Sequence, residues 1–286
     1  MLHCYTITLL HYTLTHFPLL AIRYSLFAIK AIRYSHTFMK QTSSCGLRLL
    51  QALKEQKQAR LKGGVYHRIQ IDLTYNSNHI EGSKLTAEQT RMIFETHAIG
   101  PVDTALNVDD ITETVNHFRC IDLMIDHAEQ ELSESLIKDF HRLLKQGTLD
   151  SQRDWFATGD YKKLANEVGG METCPPCKVE EEMKRLLSEY NNNDKHTLED
   201  ILDFHVRFEK IHPFQDGNGR VGRLIMFKEC LKADVVPFII TEELKYFYYR
   251  GLQHWPTTKG YLVDTCLTAQ DLFKRSLDYF GIIYSD

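Results

Sequence analysis

The sequence predicts an all-α protein, and three observations carry that expectation. Apolar residues recur at helical spacing: Leu136, Ile137, Phe140, Leu143 and Leu144 fall on one face, as do Leu198, Ile201, Leu202, His205 and Phe208. Helix-start chemistry stands where such runs begin, with Gln89 three residues after Thr86 and Asp200 three after Thr197, both capping-box spacings. No run of alternating strands with βαβ spacing occurs, which argues against a doubly wound parallel sheet.

Along the chain, QALKEQKQARL from Gln51 is polar and helix-prone, and a periodic run spans Ile111 to Ala128. Ser133 to Leu144 is the next helix, closed by Gly147. From Asp154 to Pro176 the rhythm breaks around Trp155, Gly159, Gly169, Gly170, Pro175 and Pro176, so a short hairpin or ordered loop is expected near KKLANEVGG. VEEEM, from Val179, is expected to open a further helix, its carboxylates suiting the positive N-terminal end. That helix dissolves into the polar EYNNND. His205 lies on an apolar face and reads as a core histidine. FKRSLDYF, from Phe273, reads as a packing helix.

Composition narrows the function classes. The 286 residues are 43% hydrophobic and 25% charged, ordinary values for a folded globular protein. A net charge of -4 makes a nucleic-acid partner an unlikely fit, because a general binder of phosphate backbone carries the opposite sign. The seven cysteines are an odd number and form no disulfide framework, so a reducing compartment and a cytoplasmic location are expected.

The N-terminal stretch differs from the rest. The first acidic residue is Glu55, and AIRYSLFAIK (Ala21 to Lys30) is repeated directly as AIRYSHTFMK (Ala31 to Lys40). Its apolar run is broken by Arg23 and Lys30, so no membrane span is expected. Three readings stay open for residues 1–48: a disordered or loosely helical extension, a transit-like or membrane-surface segment, or sequence outside the native protein with a true start at Met39. Residues 49–252 are expected to form the working core and 253–286 a C-terminal helical tail.

The chemistry concentrates in HPFQDGNGRVGR, His212 to Arg223. Pro213 disfavours helical geometry at His212, which places the imidazole where helix becomes loop. Phe214 is expected to turn inward. Asp216 offers oxygen ligands to a hard divalent cation. Gly217 and Gly219 let the backbone turn tightly, and the free N–H groups there would form a nest for phosphate oxygens at a helix start. Asn218 adds an amide donor, while Arg220 and Arg223 lie close enough in direction to clamp one polyanion. His212 would accept the proton of an attacking hydroxyl. The implied chemistry is transfer of part of a nucleotide. No lysine–serine/threonine pair follows the glycines, so the stretch is not a P-loop, and the protein-kinase signature set is absent.

This stretch resembles the signature of the Fic (filamentation-induced) family, HxFx(D/E)GNGRxxR, and meets every fixed position. The wider likeness runs from about Leu73 to Leu252 and takes in Tyr248–Tyr249 and Gly251–Leu252. The resemblance implies an all-helical Fic-type core with a small β-hairpin flap. It implies transfer of AMP from ATP, with Mg²⁺ or Mn²⁺, to a Ser, Thr or Tyr hydroxyl of a protein. His212 would be general base and Asp216 the metal ligand; Asn218, Gly219 and Arg220, with Gly217, would hold the α- and β-phosphates, and Arg223 the γ-phosphate. The GNG residues separate it from the kinase-like branch of the superfamily.

SNHIEG, Ser77 to Gly82, resembles the family's inhibitory motif (S/T)xxxE(G/N). Ser77 and Glu81 sit one helical turn apart and Gly82 ends the turn. Glu81 is expected to form a bidentate pair with Arg223 and so restrain the enzyme from an N-terminal inhibitory helix at about 75–82. Some restrained family members also remove AMP, so a reverse activity using Glu81 is an alternative. LANEVGG (Leu164, Ala165, Asn166, Glu167, Val168, Gly169 and Gly170) resembles the flap that aligns the target by strand addition. An inactive Fic-fold binding or regulatory protein is the alternative from another class. Self-modification and a homodimer stay open. So does the CPPC pair, Cys174 and Cys177, as a stiff lead into a helix, a redox clip or a metal site.

Overall fold

The computed structural model describes residues 48–100 and 105–285, and the readings of the N-terminal stretch fall on residues 1–47, outside that range. Among the described residues there are ten α-helices and one two-stranded hairpin, so the all-α expectation holds. The helices are α1 (Leu49–Ala59), α2 (Val65–Ile80), α3 (Ala87–Thr96), α4 (Val108–Asp126), α5 (Glu134–Lys145), α6 (Pro176–Asn191), α7 (Leu198–Ile211), α8 (Asn218–Lys232), α9 (Glu242–His254) and α10 (Gly260–Phe280). No described helix is long and apolar enough to cross a membrane.

Local chemistry sets the boundaries. Both capping boxes form, at Thr86–Gln89 and at Thr197–Asp200, and Ser133 caps α5 through the Leu136 N–H. One start differs from expectation. Pro175 and Pro176, not VEEEM, open α6, and the acids lie beyond its first turn. Proline at the first helical position costs nothing in hydrogen bonds, since that N–H has no partner in the helix anyway.

The hairpin pairs β1 (Glu167–Val168) with β2 (Met171–Glu172) antiparallel, Glu167 facing Glu172. Gly169 and Gly170 both have positive φ, 59° and 78°, as the tightest hairpin turns require.

The core is built around α8, which has little amphipathic character because it is covered on almost every side. Helices α2, α4, α5 and α7 pack against it. Leu224, Ile225 and Phe227 reach the core as expected. So do Arg220, Arg223, Lys228 and Glu229, all buried on the same helix. Helix α10 packs along α9 and buries Leu262, Cys266, Ala269, Phe273 and Leu277, whereas Tyr279 of the expected packing stretch is exposed.

Among the described residues, three histidines are wholly enclosed. His117 Nδ1 meets Thr74 Oγ1 at 2.9 Å, His141 Nδ1 accepts from Gly159 N at 3.0 Å, and His205 Nε2 meets Tyr248 Oη at 2.6 Å. His205 is thus the core histidine its position suggested. Burial pushes each imidazole down to about 3. An unfolded histidine titrates near ~6.5, so unfolding below that pH takes up protons that the native state excludes. Stability therefore falls as pH drops from about 6.5 towards 3, by up to ~1.4 kcal/mol per pH unit for each histidine. Urea midpoints should decline steadily between pH 7 and pH 5; a flat series would contradict three neutral, enclosed imidazoles.

Candidate active site

The loop between α7 and α8 is held by its own side chains. His212 ends α7 in the left-handed conformation, φ 51° and ψ 61°. Phe214 is fully buried and stacks on His141, ring centroids 4.0 Å apart and 7° from parallel. The Asn218 amide closes the loop on itself: Oδ1 accepts from Phe214 N at 2.8 Å and Nδ2 donates to Phe214 O at 2.9 Å. The amide read as an anion donor is therefore engaged in shaping the loop, and backbone N–H groups are what position 218 can present. Gly217, φ 82°, adopts a conformation that L side chains rarely take, and a Cβ there would also press on Leu144 at 3.3 Å.

Two charge clusters flank the start of α8. On one side Glu113 of α4 receives both Lys145 and Arg220, three almost fully buried groups. Lys145 also donates to Asp216 Oδ2 at 2.6 Å, and Arg220 reaches the same oxygen at 3.2 Å. Partial burial opposes ionisation of Asp216, but the charges of Arg220 and Lys145 outweigh it and hold the carboxyl well below the usual carboxylate range. Asp216 is thus ionised, with its side chain half exposed.

On the other side lies Arg223. Its Nε donates to Ser77 Oγ at 3.0 Å, and its Nη2 donates to Ser77 O at 2.9 Å and to Glu81 Oε1 at 2.7 Å. The pair with Glu81 runs through a single carboxylate oxygen, not the bidentate fork expected, because Ser77 already takes Nε. Ser77 lies within the 16-residue α2, and Glu81 is its C-cap, followed by Gly82 at φ 101°. A Cβ on Gly219 would stand 2.3 Å from Glu81 Oε1, so the carboxylate rests directly against the opening of α8. Arg220 and Arg223 do not converge on one point; each is committed to its own carboxylates.

His212 is half-buried between these clusters and the flap. Burial lowers its pKa and the Lys162 ammonium lowers it further, against the Glu209 carbonyl, Glu81 and Asp216, which raise it. The ring is neutral near pH 7. The flap docks beside it: Asn166 Nδ2 donates to Phe214 O at 3.1 Å, and Leu164 N donates to Gln215 Oε1 at 3.2 Å. Leu164, Ala165, Glu167, Val168, Gly169 and Gly170 are all exposed. Cys174, between the hairpin and α6, and Cys177, in the first turn of α6, are free thiols.

A divalent cation fits the donor set around Asp216. Among the described residues there is no cluster of three or more His, Cys, Asp or Glu side chains able to hold a metal alone. One ionised carboxylate completed by phosphate oxygens and water is a usual arrangement for Mg²⁺.

Glu113 and Lys145 belong to no local motif, and Lys162 opens the KKLANEVGG stretch without any sign there of its partners; all three meet the loop only through tertiary packing.

Comparison with known proteins matches this geometry to a family. Residues 131–230 match the model of the Fic/DOC family. Over that stretch, which includes His212 to Arg223, the chain is similar to the Fic/DOC family. The protein adenylyltransferase Fic of Drosophila grimshawi is 29% identical over 188 residues, covering 63% of this chain and 36% of that one. That of Drosophila willistoni is 31% identical over 186 residues, with 63% and 35% covered. The chain spans little more than a third of the length of these relatives.

Solved structures show the same fold. A Fic domain containing signaling protein from Bacteroides thetaiotaomicron superposes with a TM-score of 0.63 at 21% identity, covering 81% of this chain and 95% of that one. Fic-1 (aa134 - 508) from C. elegans gives 0.63 at 20%, with 91% and 76% covered.

Replacing Glu113 tests the first cluster. In Glu113→Ala, Lys145 and Arg220 stay buried without their shared partner, and unfolding in urea should show a loss of about 3–5 kcal/mol. Glu113→Gln should recover part of it; equal stability of all three proteins would mean the cluster is not buried as described.

Proposed function

We propose that this protein transfers AMP from ATP to a Ser, Thr or Tyr hydroxyl of a target protein, or of itself, and that Glu81 restrains it. The observation that carries this reading is the seat of Glu81. A carboxylate lies against Gly219 at the N-terminal end of α8 and pairs with a buried arginine, and such a helix mouth is an anion site. A triphosphate has the charge to take the same place. The adenylyltransferase named among the relatives supports the choice of reaction.

The roles follow from position. A flap-aligned hydroxyl would approach His212, and the neutral imidazole would take its proton as the oxygen bonds to the α-phosphorus. The bond from that phosphorus to the β-phosphate oxygen breaks, and pyrophosphate leaves. Backbone N–H groups of Gly217, Asn218 and Gly219, with Arg220, would face the α- and β-phosphates, and Arg223 the γ-phosphate. Asp216 would hold Mg²⁺, for which Mn²⁺ can stand in; when bound it neutralises phosphate charge. The exposed two-residue strands of the flap suit strand addition by an extended segment, which fixes orientation with little demand on sequence.

The brake follows from competition. Arg223 serves Glu81 or the γ-phosphate, and while Glu81 holds it ATP binds in an unproductive pose. Release of Arg223 in Glu81→Gly should raise transfer of α-phosphate label by about 10- to 100-fold, the worth of one charged hydrogen bond. His212→Ala in that background should lower it by about 10²–10⁴-fold. Labelling of lysate proteins followed by mass spectrometry reads both. Equal rates for wild type and Glu81→Gly would remove the brake, and equal rates with and without His212 would remove the general base.

A further inference from the structure

Among the described residues, Lys162 is the one buried lysine that touches both the flap and the α7–α8 loop, and the proposed chemistry gives it no part. It lies on the segment leading into the hairpin and is 3% exposed. Its Nζ donates to Asn166 Oδ1 at 2.7 Å and to Thr173 Oγ1 at 2.6 Å, one residue before β1 and one after β2. The same ammonium donates to Ile211 O at 3.4 Å, while its backbone N–H donates to Pro213 O at 2.8 Å. Ile211 and Pro213 are the two neighbours of His212. One residue therefore holds the carbonyls on both sides of the histidine and the two ends of the flap.

That arrangement meets a need of the backbone. His212 has φ 51°, a conformation that costs a non-glycine residue energy unless its surroundings impose it. Bonds to the flanking carbonyls impose it from both sides. The ammonium makes three hydrogen bonds, its full donor capacity, so nothing in the contacts is left over for a purely solvating role.

We propose that Lys162 is the positioning residue of this site: it fixes the left-handed geometry of His212 and ties that geometry to the docked flap. This rests on the general-base reading of His212. The groups facing the imidazole are Lys162 from the flap lead, the Glu209 carbonyl from α7, Glu81 from the end of α2 and Asp216 from the loop. Burial and Lys162 favour the neutral ring; the other three favour the charged one. Burial also brings Lys162 itself down to about 8, against the raising effect of Cys174, so the charge is present at and below neutral pH. Lys162 therefore couples the proton acceptor to the strand that presents the target: a flap pulled away takes Asn166 and Thr173 from the ammonium.

The test uses the full chain with Glu81→Gly, comparing Lys162→Met, Lys162→Arg and Thr173→Val. The His212 ring is titrated by NMR in protein carrying labelled histidine, assigned by its loss in His212→Ala, and flap amides are followed by hydrogen exchange. Neither readout needs AMP transfer. Lys162→Met should move the His212 titration to higher pH and raise exchange in residues 164–173, while Lys162→Arg should keep the titration in place. Thr173→Val should raise exchange without moving the titration, and it keeps the proposal open to refutation if Lys162→Met does not fold.

In AMP transfer, Lys162→Met should lower kcat by ~10- to 100-fold, the scale set by a misplaced catalytic group. Its acid limb should shift to higher pH with KM for ATP little changed. An unmoved titration in Lys162→Met, or unchanged flap exchange in Thr173→Val, overturns the proposal. Absence of AMP transfer from every variant, with the NMR and exchange shifts intact, would instead overturn the proposed function alone.

Discussion

A guanidinium enclosed in a protein interior has to be answered by an anion. Arg223 is 4% exposed, and burial would disfavour its charge were Glu81 not beside it. Breaking such a pair by removing one partner leaves an uncompensated charge, which costs far more than the intact pair contributes. The neighbourhood of α8 follows from that demand. Ser77 gives up a hydroxyl and a carbonyl, Glu81 stands at the very end of α2 to reach across, and position 219 has no side chain so that the carboxylate can approach. On the proposed reading, Arg223 would exchange one anionic partner, Glu81, for another, the γ-phosphate.

The same logic shapes the opposite flank. Glu113 neutralises Lys145 and Arg220 together, and both cations then lean on Asp216. The two flanks meet at the first turn of α8, whose backbone carries the positive end of the helix dipole, and α2 and α4 also bond directly, Asn78 Nδ2 donating to Thr114 Oγ1 at 3.1 Å. A short glycine-rich turn thus has fixed charges arranged on either side of it, and the flap with Lys162 closes the third side.

Much of this was legible in the sequence, and the parts that were not share a cause. Helix positions followed from periodicity and from capping chemistry at Thr86 and Thr197, because those signals are local. The loop residues His212, Phe214 and Gly217 were readable from Pro213 and from the clustering of unlike groups in twelve positions. The meeting of Glu81 with Arg223, 142 residues apart, was expected only because two short motifs were matched to one family. Glu113 and Lys145 on helices and Lys162 on the flap lead could not be read from the sequence, since a charged residue gives no local sign of being buried against a distant partner. Asn218 was misread in detail for a related reason: its amide could serve the loop or an anion, and only the fold shows that it bonds to Phe214 on both sides.

The end of α7 also has an evolutionary consequence. Left-handed geometry costs an ordinary residue roughly 1 kcal/mol that glycine escapes. At position 212, selection for a sturdier fold would favour glycine, while the proposed chemistry needs an imidazole. On that reading, evolutionary drift at this residue would trade catalysis for durability. Descendants that keep the architecture without the proposed reaction should betray themselves by a glycine or an asparagine in front of the proline.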